Sequence, residues 1–383
     1  MTKLLHLAAF PNPHPGSFVP VLLTLLGKAR ERGWDAQIAL PEAARRIPWV
    51  EEFGRRDIPV TFLPDSGRSD ITRAVGELIG TTSEPTVVHT HFTSYDIPAA
   101  LAKRRQHGDG RFLLFWHIHT VLGTSPLAVA RNSAKFALFG ATVDRVVVPA
   151  ANIGEGLIRR RAPRDKMMLM PSAIDAQAYV PPTAEERHAA REALGIRDGS
   201  AMLLHMGRAW KLKGGPTFLR AAKQLIDDGL DVTAVTLRGG EEAQRDAEQL
   251  GIADRTVVTG LVEDVRDLYA AADCFVAPSR GEGMPFSVVE ALGSGIPVVA
   301  SDLPGHRYLA DEVAACVVAP AEPGPTAAAV AAFLQRPPEQ VISDAAAARE
   351  WIIENLSLDA VAEHMLDTYA EMLASPTPIP SGF

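Results

Sequence analysis

The chain has 383 residues, of which 47% are hydrophobic and 22% are charged. This length predicts more than one domain, and the composition excludes a disordered chain. No uninterrupted apolar run reaches the roughly 18 residues that a membrane span needs, and Leu4–Phe10 is too short and too strand-like for a signal peptide. Cys274 and Cys316 lack metal-ligand spacing and are expected as buried thiols, so we predict a cytoplasmic protein.

The net charge of −8 hides an asymmetry along the chain. Residues 1–178 carry 22 basic and 16 acidic side chains, a net of +6, whereas the remainder carries 16 basic and 30 acidic ones, a net of −14. Basic clusters such as Arg159–Arg161 are typical of solvated helix ends. A second interpretation is attraction to an anionic acceptor, or peripheral contact with the negative inner face of a membrane. Nucleic acid is not an expected partner, because aromatic residues make up only 6% and do not interleave with the clusters.

In the first part of the chain, short apolar runs alternate with helical patterns. Val19–Arg32 is predicted as a helix because its apolar side chains recur on one face. Continuous apolar strands that alternate with helices predict a parallel sheet covered on both faces. The predicted strands are Leu4–Ala9, Asp35–Leu40, Pro59–Leu63, Thr86–His89, Phe112–Trp116, Arg145–Val148 and Met167–Met170.

A polar stretch with two prolines, Tyr179–Thr183, interrupts the alternation and is the predicted interdomain linker. The alternation then restarts. Its strands are predicted at Ala201–Met206, Val232–Leu237, Arg255–Val258, Asp273–Ala277, Pro297–Ala300 and Ala315–Val318. Its helices are predicted at Pro216–Asp228, Glu241–Leu250, Val265–Ala272, Ser287–Gly293 and Thr326–Phe333.

This pattern predicts two Rossmann-like α/β domains that face each other across a cleft at the carboxyl ends of their strands. We place the first domain at residues 1–178 and the second at 179–356. Residues 357–383 then hold a last helix, Leu358–Leu373, and a Pro- and Ser-rich tail expected to be frayed. This helix follows no strand, so its apolar face must pack outside the regular alternation.

Two cations follow the first strand of the second domain. Gly207 permits a sharp turn at the end of this strand, and Arg208 and Lys213 can converge above the edge of the sheet. Two such cations suit a diphosphate, whose charge grows as a nucleoside diphosphate leaves. Two solvated basic residues in a loop are the alternative interpretation.

The segment Pro278–Ala291 favours the diphosphate interpretation. A strand ends at Pro278, and a loop with two glycines leads into a helix that has Pro285 near its start. Backbone amides of the first helical turn, around Phe286 and Ser287, can receive phosphate or sugar oxygens. Glu282 in the loop and Glu290 in the helix are expected to accept hydrogen bonds from sugar and ribose hydroxyls.

These residues resemble the large family four of retaining glycosyltransferases with the GT-B fold. The resemblance covers most of residues 205–302. It is carried by Gly207-Arg208, Lys213-Gly214, Val258–Val262, Leu268–Asp273, Pro278-Ser279, Glu282-Gly283, Glu290-Ala291 and Gly295–Ala300.

The resemblance implies a role for each of these positions. Arg208 and Lys213 would bind the donor diphosphate, Glu282 the transferred sugar and Glu290 the ribose. The backbone near Leu261 and Val262 would flank the base. Further donor-binding residues are expected at Gly283, Met284, Pro285, Phe286 and Ser287. In this fold the last helix crosses back to the first domain.

The first domain offers fewer candidates. Gly16, between the first strand and its helix, resembles the family's glycine loop, although one glycine stands where a pair is common. Two strand ends carry four histidines, in His89-Thr90-His91 and His117-Ile118-His119. The resemblance implies that His119 faces the transferred sugar. A metal site and purely structural histidines are the two alternatives.

Several positions depart from the family pattern. Pro171–Asp175 reads Pro-Ser-Ala-Ile-Asp where Pro-Asn-Gly-Ile-Asp is usual, and the glutamate usual near His306-Arg307-Tyr308 is replaced. These changes bear on hinge, ribose and acceptor contacts more than on the type of reaction. No Asp-x-Asp motif occurs, so neither a metal nor another cofactor is expected.

The sequence therefore predicts transfer of a sugar from a nucleoside-diphosphate donor to an acceptor hydroxyl, with retention. The expected catalytic residues are His119, Arg208, Lys213 and Glu282. No first-domain carboxylate stands out as a nucleophile, which favours same-face attack assisted by the leaving phosphate. The acceptor is a small molecule, a glycan or a lipid-linked glycan. A nucleotide-sugar epimerase and a catalytically silent sugar-nucleotide-binding subunit are the alternative functions.

Overall fold

The chain divides into two compact units, each with a parallel sheet of its own. The computed structural model describes residues 1–81, 83–106, 110–119, 123, 125–262, 264–282 and 286–375. Unit 1 comprises Met1–Ala173 together with the C-terminal helix, and unit 2 comprises Ile174–Ser357. The predicted fold class of two Rossmann-like α/β domains is confirmed. Most of the predicted tail, residues 376–383, lies outside the described residues.

The sheet of unit 1 has seven strands in the order β3-β2-β1-β4-β5-β6-β7. The direction of winding reverses between β1 and β4, and in such sheets ligands bind at the carboxyl ends of the strands beside this reversal. Buried apolar residues fill both faces of the sheet. The strands are β1 Lys3–Ala8, β2 Asp35–Pro41, β3 Val60–Leu63, β4 Thr86–His91, β5 Phe112–His117, β6 Arg145–Val148 and β7 Met167–Leu169.

Helices connect successive strands of unit 1 and cover its sheet. The first of them begins at Phe18 and buries Val19, Leu22 and Leu26, as the apolar spacing predicts. The helices are α1 Phe18–Glu31, α2 Glu51–Arg55, α3 Arg68–Ile79, α4 Asp96–Arg104, α5 Pro126–Phe139 and α6 Ala151–Ile158.

The sheet of unit 2 has six strands in the order β10-β9-β8-β11-β12-β13, so its winding reverses between β8 and β11. Cys274 and Cys316 are free, buried thiols in this sheet, as expected. The strands are β8 Ala201–Met206, β9 Val232–Leu237, β10 Thr256–Thr259, β11 Cys274–Ala277, β12 Val298–Ser301 and β13 Cys316–Ala319.

Three helices of unit 2 are not among those predicted from the sequence: Ala184–Ala193, Pro304–Ala310 and, the longest, Pro338–Leu356. This helix, Pro338–Leu356, buries only Ala348, Ile352 and Leu356, so its apolar signal is one residue per turn. The helices are α7 Ala184–Ala193, α8 Gly215–Asp227, α9 Gly240–Gln249, α10 Arg266–Ala271, α11 Phe286–Gly293, α12 Pro304–Ala310, α13 Pro323–Leu334 and α14 Pro338–Leu356.

The last helix, α15 (Leu358–Ala374), packs in unit 1 against α1. Its buried residues include Val361, Met365 and Tyr369, which join the core between α1 and the sheet. The predicted return of the last helix to the first domain is therefore confirmed. Among the described residues, no helix has the length and apolarity required to cross a lipid bilayer.

Candidate functional site

In unit 2, the loop after β8 lies so close to the ends of β9 and β11 that two of its positions require glycine. A Cβ atom on Gly207 would lie 2.7 Å from Thr236 Oγ1 and 2.8 Å from the backbone of Gly239. Gly214 has a φ of +78°, and a Cβ there would lie 1.9 Å from the carbonyl oxygen of Pro278. The two loops that carry the predicted diphosphate and sugar residues are thus held in backbone contact.

This contact brings Lys213 and Glu282 together. Lys213 Nζ forms an ion pair with Glu282 Oε1, which also accepts a hydrogen bond from Ser279 Oγ at 2.9 Å. The side chain of Glu282 is only 12% exposed and that of Lys213 is 30% exposed. Burial makes this pair sensitive to the loss of either partner, because the remaining charge would be left uncompensated.

Arg208 lies on the same loop in a different environment. Its side chain is exposed, and among the described residues it has no ion-pair partner. The next residue, Ala209, has a φ of +59°, which L-residues with a Cβ adopt at a cost. Of the two predicted phosphate-binding cations, one is thus already bound to a carboxylate and the other extends into solvent.

Glu290 lies on α11, where two tyrosines hold its carboxylate. Tyr269 Oη donates a hydrogen bond to Glu290 Oε2 at 2.8 Å, and the Tyr179 hydroxyl also donates to this carboxylate. Burial raises the pKa of Glu290, while the two tyrosine hydrogen bonds act in the opposite direction. In the sequence, Tyr179 falls within the predicted linker and Tyr269 has no predicted role. The structure shows that both orient the candidate ribose-binding residue.

The other predicted residues of unit 2 surround these loops. Leu261 is 76% exposed after β10, and Val262 beside it is partly buried. Phe286 and Ser287 form the first turn of α11 and are partly buried. The remaining predicted donor-binding residues, Gly283, Met284 and Pro285, lie outside the described residues.

His306 occupies the neighbourhood where the family pattern has a glutamate. Its ring lies in the first turns of α12, fully buried, with Nδ1 2.8 Å from the carbonyl oxygen of Ser301. Burial lowers the pKa of His306, and the charges of Glu282 and Lys213 are near enough to act on it in opposite directions. The imidazole of His306 is therefore held neutral within electrostatic range of the Lys213–Glu282 pair.

In unit 1, Gly16 follows β1, which flanks the reversal of winding, and His119 follows β5, which lies beside the other flanking strand, β4. Gly16, after β1, is exposed with a φ of +53°, and a Cβ there would meet no atom within 4 Å. The loop therefore uses glycine for its backbone conformation and leaves open space beside it. His119 follows β5 by two residues and is partly buried.

His119 belongs to a cluster of five histidines at the carboxyl ends of β1, β4 and β5. Its members are His6, His89, His91, His117 and His119. The four predicted from sequence are joined by His6, which is opposite His89 in the strand register. Tyr369 of α15 contributes a hydroxyl that hydrogen-bonds His89 Nδ1. A single histidine in an apolar strand and a tyrosine 280 residues away gave no separate signal in the sequence.

The five imidazoles share an apolar environment that keeps them neutral. Burial lowers the pKa of His6 and of His119 to about 3. Burial also holds the pKa values of His89, His91 and His117 well below their usual range, and the neighbouring rings act in the same direction. Two trios, His6/His89/His91 and His91/His117/His119, place nitrogens within 4.8 Å of one another, which is the spacing that suggests a metal site.

Comparison with known proteins covers both units. The model for "Glycosyltransferase Family 4" matches residues 20–178, and the model for "Glycosyl transferases group 1" matches residues 200–336. A galactosyltransferase of Escherichia coli, "UDP-Gal:alpha-D-GlcNAc-diphosphoundecaprenol alpha-1,3-galactosyltransferase", is 25% identical over 58% of this chain and 59% of its own length. A D-inositol 3-phosphate glycosyltransferase of Xylanimonas cellulosilytica is 31% identical over 60% of this chain and 58% of its own. The chain thus spans less than two thirds of these two relatives.

The fold is also that of solved glycosyltransferase structures. The crystal structure of Anabaena Alr3699/HepE in complex with UDP superposes with a TM-score of 0.78 over 96% of this chain and 100% of that one, at 17% sequence identity. This likeness establishes the fold. Since the two family models together match well over half of the residues, the predicted resemblance is confirmed, and the chain belongs to the family-four glycosyltransferases with the GT-B fold.

Proposed function

We propose that this protein is a retaining, metal-independent glycosyltransferase that moves a sugar from a nucleoside-diphosphate donor to an acceptor hydroxyl. The observation that carries the proposal is the Lys213–Glu282–Ser279 cluster at the reversal of winding in unit 2. It combines a cation for phosphate with a carboxylate for sugar hydroxyls in one partly buried group.

The chemistry of this cluster suits both parts of the donor. A lysine ammonium has three donors, so Lys213 can keep Glu282 and still donate to a diphosphate oxygen. Arg208 is available to take a second phosphate contact, and the two cations would stabilise the charge of the departing diphosphate. The carboxylate of Glu282, held in place by Lys213 and Ser279, would accept a hydrogen bond from a sugar hydroxyl.

The remaining roles follow the family pattern. Glu290, held by Tyr269 and Tyr179, would accept from the ribose hydroxyls. The backbone near Leu261 and Val262 would flank the base, and the amides of Phe286 and Ser287 would reach the phosphate. In unit 1, Gly16 would let the backbone approach the donor, and His119 would face the transferred sugar.

The proposed retaining route uses the leaving phosphate rather than a protein nucleophile. The carboxylate of Asp96 is fully buried beside β4, where it accepts hydrogen bonds from Lys135 and from Thr90. A carboxylate committed in this way is a poor nucleophile. We therefore infer same-face attack, in which the acceptor hydroxyl approaches on the side from which the diphosphate leaves.

The names of similar proteins indicate which substrates to test first. The E. coli relative is named for UDP-galactose and a diphosphoundecaprenol-linked acceptor, and the Anabaena structure contains UDP. We therefore propose a UDP-sugar as the first donor class, with lipid-linked glycans, free glycans and small molecules as acceptor classes.

The first experiment is thermal unfolding with UDP, GDP, ADP and dTDP, each at about 1 mM. A ligand at one hundred times its Kd adds about 2.7 kcal/mol to the unfolding free energy, so a selective response is measurable. Stabilisation by one nucleotide alone identifies the nucleotide of the donor, and sugar conjugates of that nucleotide are then tested with acceptors. A folded protein that responds to none of the four would contradict the proposed phosphate site.

Product analysis separates the remaining alternatives. Proton NMR of the glycoside reports whether the donor's anomeric configuration is kept, and an inverted product would rule out the retaining route. Turnover that persists in EDTA supports metal independence. Donor converted to a new nucleotide sugar without any acceptor would identify an epimerase, and nucleotide binding with neither transfer nor hydrolysis would identify a silent subunit.

A further inference from the structure

The histidine cluster of unit 1 contains a continuous hydrogen-bonded chain that ends at His119. His6 Nδ1 lies 2.9 Å from His91 Nε2, and His91 Nδ1 lies 3.0 Å from His119 Nε2. Each of these distances is that of a normal hydrogen bond. The chain crosses three neighbouring strands, β1, β4 and β5, on the face of the sheet that α1 and α15 cover.

The three rings of this chain meet edge to edge. The ring centres of His6 and His91 are 5.1 Å apart, which exceeds their N···N distance by 2.2 Å. The centres of His91 and His119 are 5.2 Å apart, which exceeds theirs by the same amount. This excess is about twice the distance from an imidazole centre to its nitrogen, so each N–H lies near the plane of both rings, as a hydrogen bond prefers. The planes differ by only 23° and 27°.

This geometry favours a shared proton over a shared metal ion. Two imidazole nitrogens around a tetrahedral zinc ion, at about 2.0–2.1 Å each, stay about 3.3 Å apart. The chain's N···N distances are shorter than this, and in-plane contact places a hydrogen between the nitrogens. A metal ion shared between His6 and His91, or between His91 and His119, is therefore disfavoured.

The surroundings of His6, at the buried end of the hydrogen-bonded histidines, indicate which way the shared N–H groups point. His6 Nε2 is buried and has no hydrogen-bond partner among the described residues. If each shared N–H pointed from His119 toward His6, neutral His6 would carry its own hydrogen on Nε2 as a buried, unpaired donor. If each shared N–H points from His6 toward His119, Nε2 of His6 is only an unpaired acceptor. Buried N–H groups without partners are rarer than incompletely paired acceptors, so the direction from His6 toward His119 is favoured.

Packing fixes the ring at the outer end. His119 is stacked between His117, with centres 3.9 Å apart, and Phe92, with centres 4.5 Å apart. Phe92 and Thr93, which directly follow His91, both have positive φ values, 62° and 63°. Two consecutive non-glycine residues in the left-handed region are strained, and such strain is concentrated at functional sites.

We propose that His91 and His6 are positioning residues, which fix His119 as the neutral tautomer with its proton on Nδ1. His6 Nδ1–H donates to His91 Nε2, and His91 Nδ1–H donates to His119 Nε2. His119 then presents a hydrogen-bond donor, not a base, to an oxygen of the transferred sugar. The last step rests on the proposed function, whereas the tautomer itself does not.

The tautomer is measured directly on protein labelled with 15N-histidine. A long-range 1H–15N correlation spectrum distinguishes protonated from unprotonated ring nitrogens, and His119→Phe assigns the His119 signals. We expect Nδ1 protonated and Nε2 unprotonated in the unsubstituted protein. The opposite tautomer would overturn the proposal, whatever the enzyme does.

Three variants distinguish the loss of the histidine hydrogen bonds from a general loss of packing. His91→Phe keeps an aromatic ring but removes the donor to His119. His91→Asn places an amide donor near the former Nδ1. His89→Phe is the matched control, because His89 stacks on His91 with centres 4.5 Å apart and its Nδ1 bonds Tyr369 instead. We expect the fixed tautomer to be lost only in His91→Phe. If that variant does not fold, the His119 tautomer measured in the unsubstituted protein and in His91→Asn still tests the proposal.

Activity and metal content complete the test. A catalytic histidine that loses the partner fixing its tautomer loses turnover, so kcat of His91→Phe should fall by about tenfold or more, with KM for the donor nearly unchanged. His91→Asn should recover most of it. An unaltered kcat in His91→Phe overturns the positioning role. A protein that transfers no sugar refutes the proposed function but leaves the tautomer result standing. Stoichiometric zinc binding that shifts the His6 and His91 signals also overturns the proposal.

Discussion

The two units carry similar sheets with contrasting chemistry at the same topological position. In each sheet the winding reverses, between β1 and β4 in unit 1 and between β8 and β11 in unit 2. At this position unit 1 has five neutral histidines in an apolar environment. Unit 2 has the ion pair of Lys213 with Glu282 and the tyrosine-bound Glu290. The fold determines where a site lies, whereas the residues that follow the strands determine what the site does.

The contrast also concerns what holds each site together. In unit 1, side chains make the connections, through N–H···N contacts and stacked rings. In unit 2, the backbone of one loop lies against the backbone of the other, at Gly214 and Pro278. Unit 2 should therefore be more sensitive to an added Cβ atom, and unit 1 to the loss of a ring nitrogen.

The largest effect is expected for Gly214→Ala. The new methyl would lie 1.9 Å from the carbonyl oxygen of Pro278, in a backbone conformation with a φ of +78°. Steric overlap and backbone strain together should lower the unfolding free energy by about 3 kcal/mol or more. Urea denaturation measures this loss. Gly229→Ala is the matched control, because its φ is +88° with no atom within 4 Å, and should cost only about 1–2 kcal/mol. Equal losses in the two variants would show that the loops are not in close contact.

The next effect tests the charged site of unit 2. Lys213→Ala removes a cation that would stabilise the departing diphosphate, so turnover should fall at least about a hundredfold. Lys211→Ala is the control, because Lys211 lies on the same loop, is 80% exposed and forms only a surface ion pair with Glu242. Steady-state rates measure both variants, and circular dichroism confirms that each is folded. Turnover that is unchanged in Lys213→Ala would remove this residue from the site.

These sites show how far the sequence could predict the structure. The buried parallel strands are continuous apolar runs, and the predicted β6, β8 and β9 have the observed bounds. The residues that follow strands were predictable candidates because the carboxyl ends of parallel strands share one edge. The partners of those residues were not predictable, because they depend on tertiary packing. Tyr179 reaches Glu290 from a segment that resembles a linker, and Tyr369 reaches His89 from a helix 280 residues away.

A smaller effect is expected for Tyr269→Phe, which removes one hydrogen bond from Glu290. Hydrogen bonds to charged groups contribute about 1.5–3 kcal/mol, so the unfolding free energy at pH 8 should fall by roughly that amount. Burial raises the pKa of Glu290, and the bond from Tyr269 opposes this shift, so the variant's pKa should be higher still. Glu290 in the folded variant therefore takes up its proton at a higher pH. The stability difference should accordingly shrink as the pH falls through this range.

Urea titrations at pH 8 and pH 5.5 measure this difference. Tyr308→Phe is the matched control, because Tyr308 is partly buried against Trp351 and its hydroxyl forms no hydrogen bond within the described part of the chain. Its small effect should not depend on pH in this way. A Tyr269→Phe loss that is the same at both pH values would indicate that Glu290 stays ionised throughout.

The smallest effect is expected on the surface of unit 1, where α15 is joined to α1 by ion pairs. Glu363 pairs with Lys28 at 3.1 Å and with Arg32, and its side chain is 43% exposed. The hydrogen bonds from these two cations hold the pKa of Glu363 below its usual value. Its contribution is thus present above the pKa of an unfolded glutamate and is lost as the pH falls through the lowered folded value. Glu363→Gln should cost at most about 1 kcal/mol at pH 7 and low salt, and less in 1 M salt, since exposed pairs are screened. Because Met365 and Tyr369 anchor the same helix in the core, a much larger loss that is abolished by salt would mean that the ion pairs, rather than the apolar face, attach α15 to α1.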